Sequence, residues 1–212
     1  MRTLLLAFFG LFLATSAFAQ EATGTPAAPA TPAADLENIL YLDLSTGGRV
    51  TILLRPDKAP AHVERIKTLT RRGFYDGLLF HRVIEGFMAQ TGDPKGTGEG
   101  GSDLPDLKAE FNDLMHVRGA VSMARAESPD SANSQFFIVF MPVLRLDGQY
   151  TVVGRVTDGM QYVDAIARGE PPANPSKVLK ASIAADGVPP PAQPAAVQAP
   201  VPAGGVPVPA SR

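Results

Sequence analysis

The sequence has no cysteine and no tryptophan, and only three histidines. The missing cysteine excludes disulfides, cysteine zinc sites, iron–sulfur clusters and thiol catalysis. His62, His81 and His116 lie far apart and form no H-x-H or H-E-x-x-H pair, so their spacing marks no metal site. No Gly-Lys-Ser/Thr follows a glycine loop, which removes the P-loop reading. Ser122 and Ser134 lack the surroundings of a nucleophile elbow. Neither sign of charge dominates: 19 Lys and Arg face 21 Asp and Glu, for a net charge of −2. A nucleic-acid partner would want a basic face, and none is indicated. Gly96-Thr97-Gly98-Glu99-Gly100-Gly101 matches G-x-G-x-x-G in form, but Ser102-Asp103-Leu104-Pro105 does not open a helix. Without a helix N-terminus to hold a pyrophosphate, the segment reads as a mobile surface loop.

Proline and glycine are abundant, at 20 each in 212 residues, and proline is unevenly spread. Pro26, Pro29 and Pro32 fall in Gln20–Ala34, and eight more fall between Pro189 and Pro209. The first nineteen residues order Arg2, the apolar run Leu4–Leu13 and the small-x-small triplet Ala17-Phe18-Ala19. That is the order of a cleaved secretory signal peptide. The apolar stretch is shorter than the roughly 20 residues of a membrane span, so no stable span is expected after cleavage. The reading places the mature protein in the periplasm or outside the cell, with a net charge of −3 once Arg2 is lost. Residues 20–34 then form an Ala/Pro-rich linker and 187–212 a Pro/Ala-rich disordered tail. Between them, 35–186 is the folded domain, large enough to bury roughly two thirds of its unfolded surface.

Within the domain, apolar alternation predicts strands. Leu40, Leu42 and Leu44, then Val50, Ile52 and Leu54, flank a turn at Gly47-Gly48 and predict a hairpin. Asp57 is placed to cap a helix running to about Arg72, with Val63, Ile66, Leu69 and Thr70 as its inner stripe and Gly73 as its stop. Further strands are predicted at Leu79–Ile84, Phe87–Thr91, Ala120–Ala124, Gln135–Phe140, Tyr150–Val156 and Val178–Ala184, with a second helix near Met160–Ala167. Many short strands with only two helices favour a closed antiparallel barrel or a sandwich.

One cluster stands out. Arg82 lies among Phe80, Val83 and Ile84, just before Phe87 and Met88, and alternation puts Met88 and Gln90 on one strand face. A long charged side chain beside apolar ones also fits an arginine snorkelling at the surface. Spacing alone leaves both readings open.

The blocks Phe80-His81-Arg82-Val83-Ile84, Gly86-Phe87-Met88-Ala89-Gln90-Thr91-Gly92-Asp93, Ser122-Met123-Ala124-Arg125-Ala126, Asn133-Ser134-Gln135-Phe136-Phe137-Ile138 and Leu146-Asp147-Gly148 resemble the cyclophilin peptidyl-prolyl isomerases, in the family's order. The resemblance spans about Asn38–Ala185. It implies a mainly β fold: an eight-stranded antiparallel barrel, closed and capped by two α-helices, with the substrate in an outer groove. It implies that Arg82 is catalytic and that Gln90 orients it. It places Phe87, Met88, Phe137 and Leu146 around the substrate proline ring, with Tyr150 beside them. Ala124 and Arg125 then offer backbone to the substrate, and Gln135 lines the adjoining groove. No metal or organic cofactor is implied.

Three departures resemble the bacterial members: Arg125 where Asn is usual, Arg145 where many eukaryotic members have Trp, and Tyr150 where they have His. The first leaves backbone pairing intact, and the other two imply weak cyclosporin binding. The loop Pro94–Ala109 is also short. With the signal peptide, the resemblance implies a periplasmic isomerase acting as a monomer on proline-containing exported or envelope proteins. Two other readings use the same sequence: a chaperone that holds extended Pro-containing segments with little turnover, and an envelope protein whose tail docks a partner.

Overall fold

Strand β1 (Ile39–Leu44) and strand β2 (Gly48–Leu54) form the predicted hairpin, in a register that sets Leu40 against Ile52 and Leu42 against Val50. Directly opposed residues share a face, so these four side chains, with Leu44 and Leu54, all enter the core. Gly47 turns the chain at φ +108°, and Gly48 does a second job. A Cβ on Gly48 would stand 2.2 Å from the Tyr162 ring, so only glycine lets that ring lie on the hairpin.

The computed structural model describes residues 33–190. The expected signal peptide, nearly all of the linker and the tail beyond Pro190 lie outside the described residues. A short helix, α1 (Ala33–Leu36), precedes β1.

Helix α2 (Pro60–Arg71) buries its predicted stripe, and Gly73 ends it at φ +70°. The expected cap does not hold. The N-cap is Ala59 with Pro60 in the first turn, and Asp57 pairs instead with Arg55 at 2.7 Å. Proline's fixed φ and missing N–H suit the first helical position, which puts the N-cap at Ala59, two residues past Asp57. The free amides of Ala61 and His62 donate to the two carboxylate oxygens of Glu110, each at 3.1 Å. A distant carboxylate thus satisfies groups that a local cap would normally serve.

The remaining elements are β3 (Arg82–Ile84), β4 (Met88–Thr91), β5 (Ala120–Met123), β6 (Phe136–Val139), β7 (Val152–Asp158), α3 (Met160–Asp164) and β8 (Val178–Ile183). All eight strands form one antiparallel sheet in the order β3-β4-β6-β5-β7-β2-β1-β8. Helix α2 packs on β8 and α3 on β2.

The closed barrel expected from the sequence is corrected: the sheet is an open half-barrel, and β3 and β8 do not pair as strands. The run Leu79–Ile84 yields only three strand residues, too few to zip onto β8. The outer edge of β3 is taken by the 165–177 segment, through paired hydrogen bonds between Val83 and Gly169. A single bridge, Leu79 to Lys177, spans the gap.

The register of β3 to β6 gives the sheet two distinct faces. Val83, Ala89, Val121, Phe136 and Ile138 face the main core. On the other face, Met88, Ala120, Phe137 and Val139 build a second, smaller apolar cluster with Val143. Ile84, Phe87, Ala124, Leu146 and Tyr150 lie half-buried against it.

Candidate active site

That smaller cluster forms the floor of an open cavity of about 610 Å³. Nine of the ten residues singled out from the sequence line it: Arg82, Phe87, Met88, Gln90, Ala124, Arg125, Phe137, Leu146 and Tyr150. Gln135, the tenth, lines an adjoining cavity of about 540 Å³, and Gln90, Gly98, Ala124 and Arg125 line both.

Strand pairing explains the convergence. Arg82 sits opposite Gln90, Gln90 opposite Phe137, and Ile84 opposite Met88, so one sheet face presents a cation, an amide and an apolar patch side by side. The aromatic walls interlock: the Phe137 and Tyr150 rings meet edge to face with centroids 5.9 Å apart. The Arg125 guanidinium lies 4.6 Å above Tyr150, and that of Arg145 lies 5.4 Å above Phe87. Such stacking holds arginines flat on aromatic faces.

Arg82 and Gln90 are cross-strand neighbours but share no side-chain hydrogen bond among the described residues. The Arg82 Nε donates to Glu170 Oε2 at 2.8 Å, across the cavity rim. Gln90 instead donates through Nε2 to Gln135 Oε1 at 2.8 Å, and Gln135 donates in turn to the carbonyls of Gly98 and Gly100. Glu170 sits in an irregular, proline-rich segment that no periodicity marks, so the sequence carries no signal for it.

Ala124 and Arg125 lie just past the end of β5. The Ala124 N–H is already committed to the Gln135 carbonyl at 2.9 Å. The backbone N–H and C=O of Arg125 make no hydrogen bond among the described residues. The Arg125 side chain is latched to the carbonyls of Ala126, Glu127 and Gln149.

Two histidines that carry no metal pattern are part of the site. His116 is fully buried beneath the floor, stacked on Phe137 with ring centroids 6.1 Å apart. Its Nδ1 lies 2.8 Å from Asp147 Oδ1, and its Nε2 lies 3.0 Å from Ser122 Oγ. The His116 backbone N–H and ring hold the Asp147 carboxyl below the usual range. His81 lines the cavity beside Arg82 with no hydrogen-bond partner on either ring nitrogen, and burial pushes its pKa below the ordinary value. Asp147 lies inside a block that carried the family resemblance, whereas His116 has no sequence signal beyond its type.

The glycine-rich segment is a largely exposed loop, as read from the sequence, and it also borders the cavity. Gly96, Thr97 and Gly98 form one side of the cavity, and Asp93 and Gln135 hold the segment through its backbone.

Comparison with known proteins bears on the family and the fold. The family model "Cyclophilin type peptidyl-prolyl cis-trans isomerase/CLD" matches residues 41–184. A "Probable peptidyl-prolyl cis-trans isomerase" of Brucella suis is 48% identical over 197 residues, covering 85% of this chain and 99% of that protein. Peptidyl-prolyl cis-trans isomerase B of Bacillus subtilis is 43% identical over 131 residues, covering 61% of this chain and 91% of its own. Among solved structures, cyclophilin AquaCyp293 from Hirschia baltica superposes with a TM-score of 0.65 at 29% identity, covering 70% of this chain and 74% of that one. A Cryptosporidium parvum cyclophilin type isomerase, solved in the presence of the dipeptide Ala-Pro, has a TM-score of 0.64 at 27% identity and covers 68% of this chain and 98% of its own. No described helix is long and apolar enough to cross a membrane. The chain belongs to the cyclophilin-type peptidyl-prolyl cis-trans isomerase family and is an isomerase enzyme.

Proposed function

We propose that this enzyme accelerates X-Pro rotation in exported proteins, with Arg82 stabilising the twisted amide. The observation that carries the reading is the placement of Arg82. Its Nε is held by Glu170 at the rim of an apolar cavity, and its terminal nitrogens have no protein partner among the described residues.

The X-Pro bond is partly double, with a barrier of roughly 18–20 kcal/mol and a half-time of tens to hundreds of seconds. Twisting it breaks conjugation and leaves the proline nitrogen with a lone pair that accepts a hydrogen bond. A guanidinium aimed at that nitrogen binds the twisted amide better than either planar isomer, which is selective stabilisation of the transition state. Raising a rate from about 0.01 to about 10 per second takes roughly 4 kcal/mol. One preorganised donor sheltered from water supplies roughly 2.7–4 kcal/mol. Phe87, Met88, Phe137, Leu146 and Tyr150 would grip the proline ring so that the preceding carbonyl rotates against a fixed ring. The free N–H and C=O of Arg125 would pair with the substrate backbone, and having Arg where the family usually has Asn leaves them in place. Gln135 would line the path beyond.

The signal-like N-terminus supports action in the periplasm or outside the cell, by a bacterial exported branch of the family. A direct test is the proline-limited refolding phase of a small periplasmic protein. Catalytic amounts of this enzyme should shorten it and an Arg82→Ala variant should not. Recovery of the native enzyme in the periplasmic fraction, beginning at Gln20, tests the location.

A further inference from the structure

Two arginines flank the apolar floor of the first cavity, and neither is neutralised. The Arg145 guanidinium lies 5.4 Å above the Phe87 ring, and that of Arg125 lies 4.6 Å above the Tyr150 ring. Both rings line the cavity. Elsewhere on the surface arginines are matched: Arg55 with Asp57, Arg71 with Asp186, Arg118 with Asp164 and Arg168 with Glu85. Arg125 and Arg145 form no ion pair among the described residues.

The acids nearest to them are engaged elsewhere. Glu170 lines the same cavity but is bonded to Arg82 at 2.8 Å. Asp147, two residues after Arg145, accepts from the His116 backbone N–H and lies 2.8 Å from the His116 ring Nδ1. Glu99 and Asp106 line the adjoining cavity and not this one. With Arg82 and Glu170 offsetting one another, the side formed by Phe87 and Tyr150 is locally positive on a chain whose net charge is −2. A local field of this kind, not the net charge, decides which charged group gathers at a cleft.

The two arginines differ in what they still offer. Arg125 commits its donors to the carbonyls of Ala126, Glu127 and Gln149, so it contributes charge. Arg145 is exposed and makes no side-chain hydrogen bond among the described residues. Lying over a ring engages the face of a guanidinium and leaves its N–H edge open. That edge is a rigid fork that fits a carboxylate through two parallel bonds. Contact with Phe87 also restricts the long side chain beforehand, so less freedom is lost when a ligand binds.

We propose that Arg145, in the field of Arg125, makes this cavity selective for X-Pro units flanked by an acidic residue. The substrate carboxylate takes the open edge of Arg145 while the proline ring rests against Phe87. This rests on the site proposed above and names the class of segment that site prefers, an acidic proline-containing polypeptide. The apolar floor reads the proline ring, and Arg145 reads the neighbouring charge separately.

The test is exchange NMR on acetyl-Xaa-Ala-Pro-Ala-methylamide and acetyl-Ala-Ala-Pro-Xaa-methylamide, with Asp, Asn or Lys as Xaa. At about 0.05 M salt, kcat/KM for Asp should exceed that for Asn by about threefold to fivefold in at least one placement, mainly through KM, with Lys below Asn. At about 1 M salt, where the Debye length is about 3 Å, the preference should shrink below about twofold. Arg145→Gln should lose most of the preference, Arg145→Lys should keep part of it, and Arg145→Glu should reverse the order. Equal values for Asp and Asn in both placements overturn the proposal, as does a preference that survives in Arg145→Glu. A variant that loses the same factor on every peptide would show that Arg145 only braces Phe87, and that also overturns it. The wild-type salt series needs no variant to fold. Affinity is read from chemical-shift titration of the same samples, so the charge preference is decided even if the wild type turned over none of the peptides, an outcome that would overturn the isomerase reading alone.

Discussion

Replacing Glu170 by glutamine removes the charge that holds Arg82 while keeping the side chain's shape. The pair is direct, 2.8 Å from Arg82 Nε to Glu170 Oε2, but its side chains are 42% and 50% exposed. Water and salt screen such a pair, and exposed pairs typically contribute about 0.2–1 kcal/mol. If that energy is all spent on orienting the guanidinium, Glu170→Gln should lower kcat/KM by a factor of about 1.4 to 5. Arg82→Ala, which removes the donor itself, should cost about a hundredfold to a thousandfold. The two effects should not add, because without the guanidinium there is nothing for Glu170 to orient. Salt gives an internal control. The Debye length falls from about 10 Å at 0.1 M to about 3 Å at 1 M, so wild-type turnover should drift toward that of Glu170→Gln as salt rises, while the variant stays flat. The assay is exchange NMR on an Ala-Pro peptide at several salt concentrations. A loss above about thirtyfold would refute the reasoning, because an orienting pair this exposed does not carry that energy. A gain in rate would also refute it, showing that Glu170 holds Arg82 away from the substrate.

Stability should fall as pH drops below about 6.5. His62 is fully buried, and burial, opposed by its bond to Glu110, holds its pKa below the ordinary value; burial does the same to His81. The unfolded chain therefore takes up protons first, so stability is full above the unfolded pKa and is lost as pH falls toward the folded one. Thermal melts from pH 7.5 to 5.5 check this, and a Tm that rises on acidification would contradict it. Turnover, by contrast, should stay flat from pH 7 to 9, since the step uses a guanidinium and no titrating base; a steep bell would mean acid–base chemistry. Phe137→Ala should remove a floor residue that braces both Tyr150 and His116. A cost of about 3 kcal/mol is expected for a buried phenylalanine, and at about 2–4 °C per kcal/mol Tm should drop by about 6–12 °C. Turnover should fall at least tenfold as well, and an unchanged Tm would show that the ring is not part of the packed cluster.

Features set by local alternation could be read from the chain. Leu40, Leu42 and Leu44 against Val50, Ile52 and Leu54 gave the hairpin and its buried face, because period two is a property of each strand alone. The stripe of α2 and its stop at Gly73 were legible for the same reason. What failed depended on partners far along the chain. Asp57 looked like a cap, yet the helix amides are served by Glu110. The open edge of β3 is decided by Gly169, and the orientation of Arg82 by Glu170, both in a segment without periodicity. The hydrogen bonds that Asp93 and Gln135 make to the backbone of the glycine loop are likewise invisible to composition. The site residues converged because the family resemblance supplied them. Strand register then explains physically why Arg82, Gln90, Met88 and Phe137 share one face.

The central claim is that one guanidinium, aimed at the proline nitrogen, supplies most of the rate enhancement. It is tested most directly by exchange NMR on a single Ala-Pro peptide with wild type, Arg82→Ala and Arg82→Lys at matched folded fraction. The account predicts that Arg82→Ala keeps the wild-type Tm within a few degrees and still binds the peptide, but loses about a hundredfold or more in exchange rate. Arg82→Lys should recover only part of that, since a flexible point charge lacks the rigid fork of donors. Exchange at the wild-type rate in Arg82→Ala would contradict the claim.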